Sequence, residues 1–202
     1  MSLLTIAQAI APELSIAAPA TVLTNTSDDA VKLVQFTVAA ANEITRRVDW
    51  GALRSTATLT GTGASGLLAL PAGVSRLIEG AAIKVNSGDV VRAGLSPDEW
   101  NALPTLSGTP RYAYLTGTSI GFYPFLASGA TATVTYHSSH WCASGATWGS
   151  DSEAALIPEL LIQQGTIWRW RRHLGQDYQD YLAEFEATLA ELSKFDGGIR
   201  SP

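Results

Sequence analysis

Gly117-Thr118-Ser119-Ile120-Gly121 reads literally as G-x-S-x-G, the pattern that lifts a nucleophilic serine onto a strand-to-helix elbow above a parallel sheet. Its flanks argue otherwise. Residues 111–116 and 120–123 both read as strands, so Ser119 falls at a hairpin turn, and no Asp…His pair follows in a supporting context. The glycine-rich run 61–66 lacks the Lys-Ser/Thr step and the following helix that a phosphate loop needs, and it reads as a loop. His137, His140 and Cys142 put three metal-ligating residue types on one short segment. Strand alternation separates the directions of the two histidines, and no fourth ligand is in view. A strand end beside Trp141 accounts for them, and no metal or cofactor is expected. No acid/base constellation stands out, so nothing in the sequence points to an enzyme.

Trp168-Arg169-Trp170-Arg171-Arg172 is the most basic and aromatic stretch. Arginine next to aromatic rings can serve single-stranded nucleic acid through stacking and phosphate contacts. On a helix, however, five consecutive residues point around most of the circumference. The favoured reading is a protein interface, where Arg and Trp are the usual anchors. Trp168, Arg169, Arg171 and Arg172 are the residues assigned to contacts between chains.

The elements that must hold this run come from hydrophobic period. Residues 153–174 are expected to form one helix with an apolar stripe at Leu156, Leu160, Ile167, Trp170 and Leu174. Gly175 ends or bends it. A second helix over 176–195 places Tyr178, Leu182, Phe185, Leu189 and Leu192 on one face and Asp180, Glu184, Glu186 and Glu191 on the other. Near the start, Ser2 caps a short helix over 2–11 that Pro12 stops. Thr26-Ser27-Asp28-Asp29 opens a long helix with capping side chains and acids in its first turn. Its stripe is expected at Val31, Val34, Val38, Ala41, Ile44 and Val48, and its end near Asp49-Trp50-Gly51, with Trp50 as a core anchor. From Arg54 the period drops to two. Strands are expected over 55–60, 67–70, 77–85, 89–92, 111–116, 120–123 and 131–137, with a short capped helix at Ser96-Pro97-Asp98-Glu99-Trp100.

These readings give an α+β chain: a helical bundle built from the N-terminal long helix and two C-terminal helices, with an inserted antiparallel β-domain. The expected organisation is an N-terminal arm (1–26), a bundle (27–53 and 151–195), a β-rich insertion (54–150) and a C-terminal tail (196–202). The 202 residues are 46% hydrophobic and only 15% charged, with six Trp, which suggests more adhesive surface than a free monomer wants. A formal net charge of −5 argues against general nucleic-acid affinity. The single cysteine excludes an internal disulfide framework. The opening residues lack a basic region, so no secretory leader is expected, and every apolar run stops short of the roughly 18–20 residues of a membrane helix. The chain is therefore expected to be soluble.

One order of motifs goes further. A capped helix ends in Asp49-Trp50-Gly51-Ala52-Leu53 and precedes Leu70-Pro71-Ala72-Gly73 and the Trp100 helix. Gly108-Thr109-Pro110-Arg111-Tyr112-Ala113-Tyr114, Ile120-Gly121-Phe122-Tyr123-Pro124 and Ala132-Thr133-Val134-Thr135-Tyr136 follow. Two closing helices carry Ile157-Pro158-Glu159-Leu160-Leu161 and Gly175-Gln176-Asp177-Tyr178. This order, over residues 27–195, resembles the head-to-tail adaptor (connector) proteins of tailed bacteriophages. The resemblance implies a dodecameric homo-oligomeric ring that docks under the portal protein and receives the tail or nozzle protein. It also implies a DNA channel that does not bind sequence, a place at the head–tail junction of the virion, and synthesis in the host bacterial cytoplasm. By the same resemblance the tail should reach the portal, with Ile199 as apolar anchor and Arg200 as charge partner. The competing reading is a phage hydrolase or a carbohydrate-binding tail component that uses a Trp-rich β-surface.

Overall fold

The computed structural model describes residues 2–63, 67–78, 82–86 and 88–196. Helices α1 (Leu3–Ile10) and α2 (Asp28–Arg47) lead through a short 3-10 turn (Gly51–Leu53) into strands β1 (Arg54–Thr60), β2 (Leu67–Ala69), β3 (Val74–Leu77), β4 (Ile83–Val85) and β5 (Asp89–Val91). Helix α3 (Pro97–Asn101) and strands β6 (Tyr112–Thr116), β7 (Ser119–Tyr123) and β8 (Thr131–Ser138) follow, and α4 (Glu159–His173) and α5 (Gln179–Asp196) close the chain. The fold is α+β, a helical bundle interrupted by antiparallel sheets. Two compact units result: one takes the chain up to Leu53 and from Ser139 onward, the other runs from Arg54 to Ser138.

In the helical unit α4 is central and packs on α1, α2 and α5. Helix starts follow the sequence signals. The Ser2 and Ser27 hydroxyls accept from the Thr5 and Ala30 amides. Asp28 and Asp29 face the positive end of the α2 dipole. Gly175, at φ +68°, closes α4 in a Schellman turn, with Gln176 N donating to Arg171 O (2.9 Å) and Gly175 N to Arg172 O (3.2 Å). The α5 stripe is as expected: Phe185 and Leu189 are fully buried, with Tyr178, Leu182 and Leu192 packed around them.

Three expectations are corrected. The helix expected to begin at residue 153 begins at Glu159 behind Pro158. Glu153 instead accepts the Ser144 and Gly149 amides inside a loop. On α2 Ala41, Ile44 and Val48 are buried as expected, but Ala30, Leu33, Thr37 and Ala40 complete the buried face and Val31 is 44% exposed. The cause is close helix approach: a Cβ on Gly165 of α4 would meet Ala40 Cβ at 2.8 Å, so small residues form the seam. On α4 Trp170 is buried as expected, but Leu160 and Leu174 are half exposed, because Leu161, Ile162, Gly165 and Trp168 are what the neighbouring helices cover.

The loop over 139–158 fills the remaining core. Trp141 and Trp148 meet edge to face at 4.7 Å. Their indole N–H groups donate to Asn42 Oδ1 (2.8 Å) and Thr37 Oγ1 (3.2 Å) on α2. Burying one such ring removes roughly 150–250 Å² from water, an upper bound of about 4–6 kcal/mol each. Trp50 is buried as expected, donating to Ile44 O. Asp151 accepts from both the Val22 and Leu23 amides at 2.8 Å and so pins the segment between α1 and α2.

In the β unit, β1 and the β3–β4 pair flank β8 on opposite edges, with β5 beyond β4, and a second sheet runs β2-β7-β6. The strand expected over 77–85 is two strands. Leu77 and Lys84 are seven apart, but their partners on β8, Tyr136 and Thr133, are three apart, so the ladder must break between them. Leu59, Ile83, Val85, Ile120, Phe122 and Val134 belong to the core of this unit. Ser119 pairs with Thr116 across the two-residue turn Gly117-Thr118, with Gly117 at φ +55°. The serine thus lies within a hairpin strand and not on an elbow. Five of the six tryptophans belong to the helical unit. Only Trp100 lies in the β unit, tilted against Tyr114 (4.0 Å between centroids) and edge-on to Tyr123 (5.8 Å).

Candidate subunit interface

The Trp168–Arg172 run occupies the last turns of α4, and its side chains point in different directions. Trp168 is only 8% exposed and lies against Tyr178. Arg169 turns to α2. One nitrogen donates to Gly165 O (2.7 Å), the other pairs with Glu43, and the guanidinium also covers the Trp168 ring at 4.2 Å. Burial lowers the Arg169 pKa, and Glu43 pushes it back up. Arg171 lies over the Tyr181 ring at 4.1 Å and reaches the Glu13 carboxylate at 4.0 Å. Arg172 is exposed and makes no ion pair among the described residues. Trp170 is buried, edge-on to Phe36. Ile199 and Arg200 lie outside the described residues.

Glu43 is the hub of a chain of charges. It accepts from Arg47 one turn below (3.2 Å) as well as from Arg169. Arg47 in turn grips both oxygens of Glu186 on α5 at 2.6 Å. The hydrogen bonds from Arg47 hold the Glu186 carboxyl below its ordinary range, and those to Glu186 raise Arg47. Helices α2, α4 and α5 are thereby joined by one ionic chain, Glu186–Arg47–Glu43–Arg169.

Beside this chain the surface opens into a shallow groove lined by Phe36, Ala39, Trp168, Arg169, Arg172 and His173. Its walls are aromatic, and the exposed Arg172 guanidinium makes it positive. Its chemistry suits an acidic protein surface. Cys142 also lacks the setting of a nucleophile: its thiol donates to the Gly145 and Thr147 carbonyls, and burial raises its pKa.

The SU10 adaptor protein family model matches residues 1–202. The chain belongs to the SU10 adaptor protein family. It is accordingly a structural adaptor of a tailed bacteriophage and a virion component, as the motif order implied. No curated protein matches the chain. Among the described residues no helix is long and apolar enough to cross a membrane.

The structure brings Trp168, Arg169 and Arg172 to one groove and sends Arg171 to the α5 side. Sequence reasoning missed Phe36, His173 and Glu43. His173 merely extends the basic run by one residue, and Glu43 stands four residues before Arg47, so both had a local signal. Phe36 had none, since only the packing of α2 on α4 places it beside His173, at 5.7 Å between ring centroids.

Proposed function

We propose that this adaptor forms a dodecameric ring between portal and tail, surrounding the channel through which DNA leaves the head. The observation that carries the reading is the family match over the whole chain. In support, α4 leaves Leu160 and Leu174 half exposed, and a cationic aromatic groove opens beside Arg172. A monomer has little use for either. The portal protein takes one face of the ring and the tail or nozzle protein the other. DNA passes without sequence-specific contact, past a chain whose net charge of −5 does not hold it. In this reading Trp168, Arg169, Arg171 and Arg172 serve the contact between copies, with Trp168 and Arg169 shaping the surface that Arg172 presents. Ile199 and Arg200 serve the portal contact.

The test is microscopy of the purified protein with and without its portal. Rings are expected, and Arg171→Glu with Arg172→Glu should abolish them. Because Arg171 stacks on Tyr181, Arg172→Glu alone is the cleaner variant, with an unchanged melting curve as control. Undiminished rings in both variants would refute the assignment. Deleting residues 197–202 should weaken portal attachment more than it lowers the melting temperature of the free protein, and equal attachment would refute the portal role of the tail.

A further inference from the structure

The outer face of α5 carries Asp180, Glu184, Ala187 and Glu191 at steps of four, three and four, all exposed, with Ala183 beside them. Glu184 accepts from Gln164 at 2.9 Å, whereas Asp180 and Glu191 make no ion pair among the described residues. The stripe is about 16 Å long at ~1.5 Å per residue. Its alanines leave room for another surface to approach closely. The groove at the end of α4 has the opposite character: Arg172 and His173 are exposed on it, between Phe36, Ala39 and Trp168.

We infer that the α4 groove of one copy receives the acidic α5 stripe of a second copy. The inference rests on the ring reading and deepens it by naming both faces. Charge complementarity selects the occupant. The groove offers the exposed Arg172 guanidinium, the His173 imidazole and aromatic walls, and the stripe is an acidic surface of opposite sign with small residues at its centre. Groove and stripe are different surfaces of the same helical unit, so each copy gives one and takes one. Such a contact is heterologous and head-to-tail, the type that closes into rings when the rotation per copy permits. Unpaired carboxylates facing the exposed Arg172 guanidinium also give the contact a salt dependence, because exposed pairs are screened within about 10 Å at 0.1 M salt.

The test uses two full-length variants. The groove variant carries Arg172→Glu and His173→Glu, and the stripe variant carries Asp180→Lys and Glu191→Lys. All four positions are exposed, and unchanged melting curves confirm that the folds survive. Each variant alone should lose self-association by about tenfold or more in sedimentation velocity. Mixed, the two should assemble in alternation, because the unchanged groove of one takes the unchanged stripe of the other and the reversed groove takes the reversed stripe. All four changes in one chain should restore assembly, with the charges exchanged. A stripe variant that assembles like the parent overturns the inference and leaves the ring reading standing. So does a groove variant that self-associates normally but fails to hold the portal, which would give the groove to the portal. A parent chain that stays monomeric with and without portal defeats the ring reading itself.

Discussion

At the scale of single residues, Glu43 has the largest consequences. Its carboxylate is what keeps the largely buried Arg169 guanidinium paired. Glu43→Ala is expected to cost about 3 kcal/mol or more in urea unfolding, because it strands a buried cation. Adding Arg169→Met should recover part of that loss, and a double variant less stable than Glu43→Ala would contradict the account. Glu186 makes a pH prediction. Arg47 holds its carboxyl below the ordinary value, so the folded state stays ionised where the unfolded chain would take up a proton. The stabilisation is therefore complete above the usual carboxylate range and lost as pH falls through the lowered value. The pair is partly exposed, so its contribution is about 1 kcal/mol or less. Glu186→Gln should flatten the acid limb of the stability–pH curve, and an unaltered limb would count against it. The i, i+4 spacing of Glu43 and Arg47 was legible in the sequence. The partners Arg169 and Glu186 were not, since each comes from a helix more than a hundred residues away.

At the scale of elements, caps and breaks were the legible part: Ser2, Ser27, Ser96 and Gly175 all act where their residue types say they should. Helix faces were legible on α5, whose one-sided stripe matches one buried side. They were read only in part on α2 and α4: Ala41, Ile44 and Trp170 are buried as expected, but Val31, Leu160 and Leu174 are exposed and the small residues Ala40 and Gly165 form the seam. Gly165→Leu should overpack that seam and cost about 1–3 kcal/mol, readable as a lowered melting temperature. Ala40→Gly in the same chain should return some of it, and no recovery would place the strain elsewhere. The loop over 139–158 was illegible because its order depends on distant partners: Thr37, Asn42 and the amides at Val22 and Leu23. Asp151→Ala should leave those two amides without acceptors and cost about 1–3 kcal/mol. Amide exchange at Val22 and Leu23 should rise before that of α2, and unchanged protection there would refute the pinning role.

At the scale of the whole molecule, the β unit enters and leaves through neighbouring strands. Arg54 pairs with His137, so the two chain crossings are one strand spacing apart, roughly 4.5–5.5 Å. Replacing residues 54–138 with a short flexible linker is expected to leave a helical unit that melts cooperatively with its helical circular dichroism intact. A molten product would show that the bundle needs the insertion. The switch of hydrophobic period from 3.6 to 2 marked a β-rich stretch in the sequence, whereas the pairing of Arg54 with His137 had no sequence signal.

The split helical unit also imposes an order in time. The small-residue face of α2 is made early, but Trp141, Trp148 and α4, which cover it, are made only after the whole β unit. At about 5–20 residues per second, the wait from the end of α2 to the start of α4 is on the order of 5–20 s. A nascent chain arrested after residue 138, with a linker spanning the ribosome tunnel, is expected to protect the β8 amides while those of α2 still exchange. Early protection of α2 would refute this order. What the ribosome makes first, the protein closes last, and α1 and α2 are the segments a chaperone would meet uncovered.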